Sequence, residues 1–424
     1  MDISYLIKRA ARNFPDAPAV DDGRLALSAA ELDESALRLA RGLLGQGLDP
    51  DARVGVLSEN CTEYVVADVG IAHARLVRVA LNARLHLADF RFMAEDVGMA
   101  ALLHSRAFDA EAAALADELG LVTISLEPGS EVSPHYPDLP AAASLPGPRD
   151  EEDPAWITYT SGTSGRPKGV VLSHRSLREV ALNLLLELGP VEPGEQVVLT
   201  QPLSHGAGYF VLPWLMSGGG VYVMRRFDPA EALAVGQRPN VRLLKLVPAM
   251  LESIVELDGD WGYDSFVYGA APIAGPLLET ALDRLGPRLV QIYGQTEAPV
   301  TLTCLDRADH LGDADRRFSA GRPFRSVAIE VRDEDDAPVA PGEVGEVVVR
   351  GSHLMSGYHG LPTQTAAVLR DGWVHTRDMG RLDERGYLTL LGRSDEMINS
   401  GGFNISPREV ELALGEHPAV DDVA

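Results

Sequence analysis

The stretch AWITYTSGTSGRPKG, residues 155–169, carries the reading of the fold. Ala155 to Tyr159 is a short apolar run of strand character, and it feeds a segment in which Gly162, Gly165 and Gly169 are interleaved with hydroxyl residues. Glycine lets backbone approach a ligand closely, while Thr160, Ser161, Thr163 and Ser164 offer hydroxyl and N–H groups suited to anionic oxygens. Lys168 adds a point charge. Apolar residues then recur at helical spacing from Leu172 to Leu188 behind Ser173, so the pattern predicts strand, loop and helix, with the loop a polyphosphate cradle. The Walker A pattern does not fit, because Pro167 stands where it has Gly before Lys and Gly169 where it needs Ser or Thr for a metal. A plain flexible linker is the rival reading, but a linker has no reason to end in Pro-Lys-Gly between two regular elements.

Upstream, helical spacing from Leu27 to Leu44 ends at Gly45 and Gly47, and Ala52 to Leu57 reads as a strand. Such alternation continues to about Ser125, which predicts layered α/β structure. Residues 127–154 are rich in Pro, Ser and acids and read as a surface linker. Downstream, further α/β units are expected at residues 221–224, 243–247 and 289–292. From about Ala320 short alternating strands with Asp, Pro and Gly turns predict a small β-barrel-like subdomain. We therefore expect a large domain over residues 1–392, with α/β subdomains to about 319 and the β subdomain over 320–392. Residues 393–424 then form a hinge and the start of a further α+β domain that is largely absent.

At 424 residues the chain exceeds what one core usually serves, and its 46% hydrophobic and 23% charged residues are those of a folded globular protein. A net charge of -25 without a basic stripe argues against a nucleic-acid partner. No run reaches the ~20 apolar residues of a membrane span, and the N-terminus lacks a signal peptide's apolar stretch, so a cytoplasmic protein is expected. Cys61 and Cys304 are too few and too far apart for a disulfide framework or metal cluster. Lysines number only three, Lys8, Lys168 and Lys245, which makes each worth inspecting.

Other segments follow in order: QPLSHGAGYF (201–210), YGAAP (268–272), QIYGQTEAP (291–299), HTRDMGRL (375–382) and GRSDEMINSGG (392–402). With the glycine-rich loop they resemble the adenylate-forming superfamily, in its acyl-CoA synthetase branch, over most of the chain. The resemblance implies a carboxylic acid activated by ATP as an acyl-adenylate, then transferred to coenzyme A. Loading of a carrier protein, a non-adenylating module that holds an acyl-adenylate, and a distant luciferase-like oxygenase stay open beside it.

The resemblance also implies roles. Residues 160–165 and Lys168 would hold the ATP phosphates. Gly269, Ala270, Ala271, Pro272, Tyr293 and Gly294 would surround the adenine. Thr296 would bond the α-phosphate and Glu297 would hold Mg2+, a hard cation that keeps waters and substrate oxygens as its other partners. Asp378 would take the ribose hydroxyls, Arg393 ribose or phosphate, and Asp395 would be the hinge, with Gly401 and Gly402 lining the thiol route. His205, Gly206, Tyr209 and Tyr268 would wall the acid, and His205 would also lie near its carboxylate. No acid follows His205 to pair with an α-ammonium group, so a neutral-bodied acid is expected in preference to an amino acid. Two departures stand out: Ala270 and Arg377 occupy positions where glycine is frequent. A third concerns the family's further catalytic lysine, well beyond the hinge: no lysine follows Lys245. The chain is thus read as an N-terminal fragment, with a separate partner or lost adenylation as alternatives, and by itself it is expected to adenylate poorly. A homodimer is left open.

Overall fold

The computed structural model describes residues 1–142, 144–160, 166–394, 398–400 and 403–405, together with Val410 and Leu414. The chain divides into two compact units. The first comprises Met1–Leu246, Leu257–Phe266 and His353–Pro362, and the second Val247–Glu256, Val267–Ser352 and Thr363–Ala424.

The first unit opens with α1 (Ile3–Asn13), capped by Asp2, whose carboxylate accepts the Tyr5 N–H at 2.8 Å. A hairpin of β1 (Pro18–Asp21) and β2 (Ala26–Ser28) leads into α2 (Ala29–Gly45). That helix starts after Ser28, not at Leu27, because Ser28 and Glu31 bond each other's backbone N–H in a capping box. Strands β3 (Arg53–Leu57), β4 (Val77–Leu81), β5 (Met99–His104) and β6 (Val122–Ser125) then alternate with helices α3 (Thr62–His73), α4 (Leu87–Val97) and α5 (Asp109–Leu119). The strands pair in parallel in the order β4-β3-β5-β6. Their near-continuous apolar runs are what a sheet covered on both faces requires. Helix α3 is buried along all of its twelve residues: most are apolar, and its acids Glu63 and Asp68 are paired with Arg24 and Arg78.

Strand β7 (Pro154–Thr160) joins this sheet in parallel beside β4. Here the expected strand, loop and helix is corrected. The loop returns into β8 (Lys168–Ser173), antiparallel to β7, and only then does α6 (His174–Leu188) begin. Val170 and Leu172 are fully buried on one face of β8, so alternation of period two wins over the helical pattern as far as Ser173. Ser173 caps the helix by accepting the Ser176 N–H at 3.1 Å. The short strand Gly357–Tyr358 closes the edge against β8.

A further set of strands in this unit, β9 (Gln196–Leu199), β10 (Gly220–Val223) and β11 (Val241–Leu246), runs parallel with β1 in the order β1-β10-β9-β11. Helices α7 (Val211–Met216) and α8 (Pro229–Gly236) lie between them in sequence.

The second unit contains α9 (Pro248–Glu256) and α10 (Gly275–Leu285), with strands Leu289–Tyr293, Thr303–Leu305 and Arg322–Pro323 pairing in that order. It also contains an antiparallel sheet of Ala328–Arg332, Gly345–Arg350, Trp373–Leu382 and Leu369–Arg370, with Leu388–Arg393 along the Trp373 strand. A helix, Pro362–Val368, interrupts this region of short strands. Ile398–Ser400 and Phe403–Ile405 pair as a hairpin. The helix expected from about Pro407 lies outside the described residues apart from Val410 and Leu414.

Candidate active site

In the first unit, the stem of the glycine-rich loop is fixed on both sides. Tyr159, next to the loop, donates its hydroxyl to Asp96 at 2.5 Å, and its ring meets Phe92 edge-on. Burial and the neighbouring carboxylate both hold that phenol in its neutral form. On the return strand, Lys168 Nζ lies 5.2 Å from the centre of the Tyr358 ring, a cation–π contact. Thr160 and Lys168 sit opposite each other across the hairpin. Ser161, Gly162, Thr163, Ser164 and Gly165 lie outside the described residues, as do Asp395, Gly401 and Gly402.

Also in this unit, His205 rides on a loop of successive turns, in which His205 donates its N–H to Pro202 O and Gly208 donates its own to His205 O. Only glycine fits at 208, since a Cβ there would stand 2.2 Å from Leu203 O. The imidazole Nδ1 is 2.8 Å from Ser204 Oγ. Burial first, then the charges of Arg78 and Arg84, hold the ring below the usual histidine range, so it is neutral at pH 7. Gly206 is half-buried beside it. Arg78 is fully buried under this loop, with Nη2 on Tyr64 Oη at 2.7 Å and Leu203 O at 3.0 Å. Its Nε lies 2.8 Å from Asp68, whose carboxyl burial pushes up to about 7. Tyr209 packs against Trp156 and lines a mostly apolar cleft with Ile3, Ile7, Asp68 and Leu215.

In the second unit, Gly269 ends its strand against Ile292 O, which a Cβ would approach to 2.2 Å. Ala270, Ala271 and Pro272 follow, all exposed. Tyr268, in contrast, is wholly buried, and its hydroxyl sits 3.0 Å from Gln291 Oε1 and 2.9 Å from His310 Nε2. Its side chain is therefore held in the core of this unit.

Gly294 is pressed on Val300, which a Cβ would meet at 2.5 Å, and Gln295 N–H bonds Ala298 O, so residues 294–300 form a tight loop. Thr296 and Glu297 are half-exposed on it. Asp378 accepts the Tyr293 hydroxyl and the Gln295 amide, the latter at 2.6 Å, on Oδ2. Its Oδ1 lies 3.6 Å from Arg393, beyond hydrogen-bond reach. Burial raises the Asp378 carboxyl above its ordinary range, and the charge of Glu297 adds to that. Tyr293 is held far above the usual phenol range by burial and by Asp378.

Several groups around these positions escaped the sequence reading. Gln295, Arg78 and Asp68 are given no role by the sequence. Lys245 and Gln201 also belong here. For Lys245 the scarcity of lysine was a signal that marked the residue for inspection but gave it no role.

Residues 7–359 match the family described as AMP-binding enzyme. A medium/long-chain-fatty-acid–CoA ligase of Mycobacterium tuberculosis is 32% identical over 99% of this chain and 76% of its own length. A feruloyl-CoA synthase of Amycolatopsis is 36% identical over 98% of this chain and 83% of its own. Among solved structures, an amide bond synthetase from Marinactinospora thermotolerans superposes with a TM-score of 0.90 at 28% identity, over 100% of this chain and 85% of that one.

Proposed function

Since this chain belongs to the AMP-binding enzyme family, we propose that it joins a carboxylic acid to AMP at the expense of ATP and passes the acyl group to the thiol of coenzyme A. The observation that supports this most is Asp378. A carboxylate pinned by Tyr293 and Gln295 on one oxygen, with the other in a long ion pair with Arg393 and without a short hydrogen bond to it, suits the vicinal hydroxyls of a ribose. Both curated relatives described above are named for thioester formation with coenzyme A. The amide bond synthetase differs in its acceptor, so the acceptor is the half of the reaction that needs its own assay.

The chemistry asked of the protein is attack of one anion on another, so positioning and charge stabilisation are its tools. Lys168 and the loop hydroxyls and N–H groups stabilise the leaving pyrophosphate. Thr296 donates to the α-phosphate as charge builds there. Ala270, Ala271 and Pro272 give the adenine a flat backbone surface, with Tyr293 and Gly294 beside it, and Arg393 serves ribose or phosphate. A single half-exposed carboxylate on a tight loop fits Mg2+, and Glu297 would hold that ion, which supplies Lewis-acid neutralisation of the phosphate oxygens when bound. Neutral His205 orients the acid's carboxylate without competing for it as a cation. Asp395 serves as the hinge for the second half-reaction.

The test joins binding to turnover. AMP and its 2′,3′-dideoxy analogue are titrated against the wild-type chain and Asp378→Asn, and carboxylic acids are screened for acyl-AMP and acyl-CoA by mass spectrometry. D378N should weaken AMP at least about tenfold, the scale of one lost charged hydrogen bond, and leave the dideoxy analogue nearly unchanged. Equal losses for both nucleotides would count against the reading, whereas a low yield of acyl-AMP is what a chain with no lysine after Lys245 should give.

A further inference from the structure

Lys245 is 2% exposed at the carboxyl end of β11, and among the described residues its ammonium has one hydrogen bond, to Leu246 O at 3.1 Å. No carboxylate pairs with it among the described residues. Its backbone neighbours are equally informative. Parallel pairing sets Lys245 opposite Leu199 of β9, and Thr200 donates its hydroxyl to Lys245 O at 2.7 Å. From Thr200 the chain enters the loop that carries His205, and it returns with Phe210, whose ring centre is 5.8 Å from Lys245 Nζ. The loop thus begins and ends against this lysine.

A second buried donor stands at the same place. Gln201 is 7% exposed, and its Nε2 has no hydrogen-bond partner among the described residues. Its backbone is fixed: Asn60 donates from Nδ2 to Gln201 O and Met224 O at 2.7 and 3.1 Å, and accepts the Leu203 N–H at 2.8 Å. The carboxyl ends of β9 and β10 are thereby tied together. In open α/β sheets the crevice outside the carboxyl ends of parallel strands is where ligands bind.

Two buried donors with almost nothing to donate to, at the start of the loop that bears His205, call for an acceptor that the described residues do not supply. We propose that Lys245, with Gln201, is a specificity-determining residue that receives a second carboxylate, at the far end of the acid being activated. The substrate class is then a dicarboxylic acid, one end activated and the other anchored, in place of the neutral-bodied acid that the sequence alone implies. This rests on the acid-activating reading above. Burial alone lowers the Lys245 ammonium to about 7, and among the described residues its polar contacts are the Leu246 carbonyl and the Phe210 ring. An arriving carboxylate restores the charge, so binding takes up a proton above pH 7.

Stable sulfamoyl analogues of acyl-AMP test this, made as a matched series of straight-chain and aryl acids with and without a terminal carboxylate. Calorimetry on the whole chain should show the carboxylated member of the best-fitting pair binding about tenfold or more tightly than its neutral partner. Lys245→Met should abolish or reverse that preference with AMP affinity unchanged, and Gln201→Leu should reduce it. For wild type at pH 8, buffers of different ionisation enthalpy should report close to one proton taken up with the carboxylated analogue, and none with the neutral one. That readout needs no variant to fold. A preference for the neutral analogue at every length, a preference that survives K245M, or no proton uptake would overturn the proposal. If no acyl analogue binds better than AMP, the acid-activating reading fails first, and visibly so.

Discussion

Ala270 and Arg377 hold φ at 69° and 61°, in the left-handed region that side chains disfavour by roughly 1–2 kcal/mol. These are the two positions where the superfamily resemblance leads one to expect glycine, so what looked in the sequence like a mild departure is a local backbone cost. Both adjoin residues assigned to the nucleotide, and Val300, at φ 45°, closes the Glu297 loop in the same way. Strain of this kind persists where surrounding structure over-determines it: Arg377 is held by its N–H on Glu346 at 2.9 Å and its carbonyl under Ser394 N–H at 2.8 Å. Ala270→Gly should therefore raise unfolding free energy by about 1 kcal/mol, seen as a higher urea midpoint at unchanged slope. A lower midpoint would show that the backbone there carries no strain.

At the scale of elements, the hairpin of β7 and β8 does what a strand and helix were expected to do: it presents the glycine-rich loop from a rigid base. The base is rigid because Ile157 and Tyr159 of β7 belong to the hydrophobic core, while the Tyr159 hydroxyl reaches across to Asp96 on α4. Tyr159→Phe leaves that core intact and removes one bond to a carboxylate, which should lower stability by about 1–3 kcal/mol. Because the lost bond anchors the loop stem, ATP affinity should fall more than AMP affinity, as titration of the two nucleotides would show. Equal changes would mean that Tyr159 supports the fold and not the loop. The hairpin was hard to read because Val170, Val171 and Leu172 satisfy a strand and the start of an apolar helix face equally well; pairing with β7 decides it.

For the molecule as a whole, acid sensitivity follows from buried histidines. Burial pushes His353 and His174 down to about 4. Between pH 6.5 and 4 the unfolded chain binds protons that the folded chain refuses, so their contribution to stability is present above pH 6.5 and lost as pH falls toward 4. His353 is 1% exposed, and neither ring nitrogen has a hydrogen-bond partner among the described residues. His353→Phe should accordingly stabilise the protein more at pH 5 than at pH 7.5, by about 2 kcal/mol, with urea unfolding at the two pH values as the measurement. A pH-independent effect would place the titration elsewhere.

Local chemistry was legible from the sequence alone. Glycines and hydroxyls mark a place where backbone must meet anionic oxygen, Ser173 marks a helix start, and the order of the segments around His205, Glu297 and Asp378 marks the family, because each depends on residues close together in the chain. Tertiary structure alone could decide what depends on distant partners. It set the return of the loop as a strand, and it drew Tyr268 into the core while leaving Ala270 exposed. It closed Tyr293 and Gln295 on Asp378, and it buried Lys245 without a counter-charge among the described residues. Burial and pairing are properties of neighbours in space, and a single chain of letters does not list them.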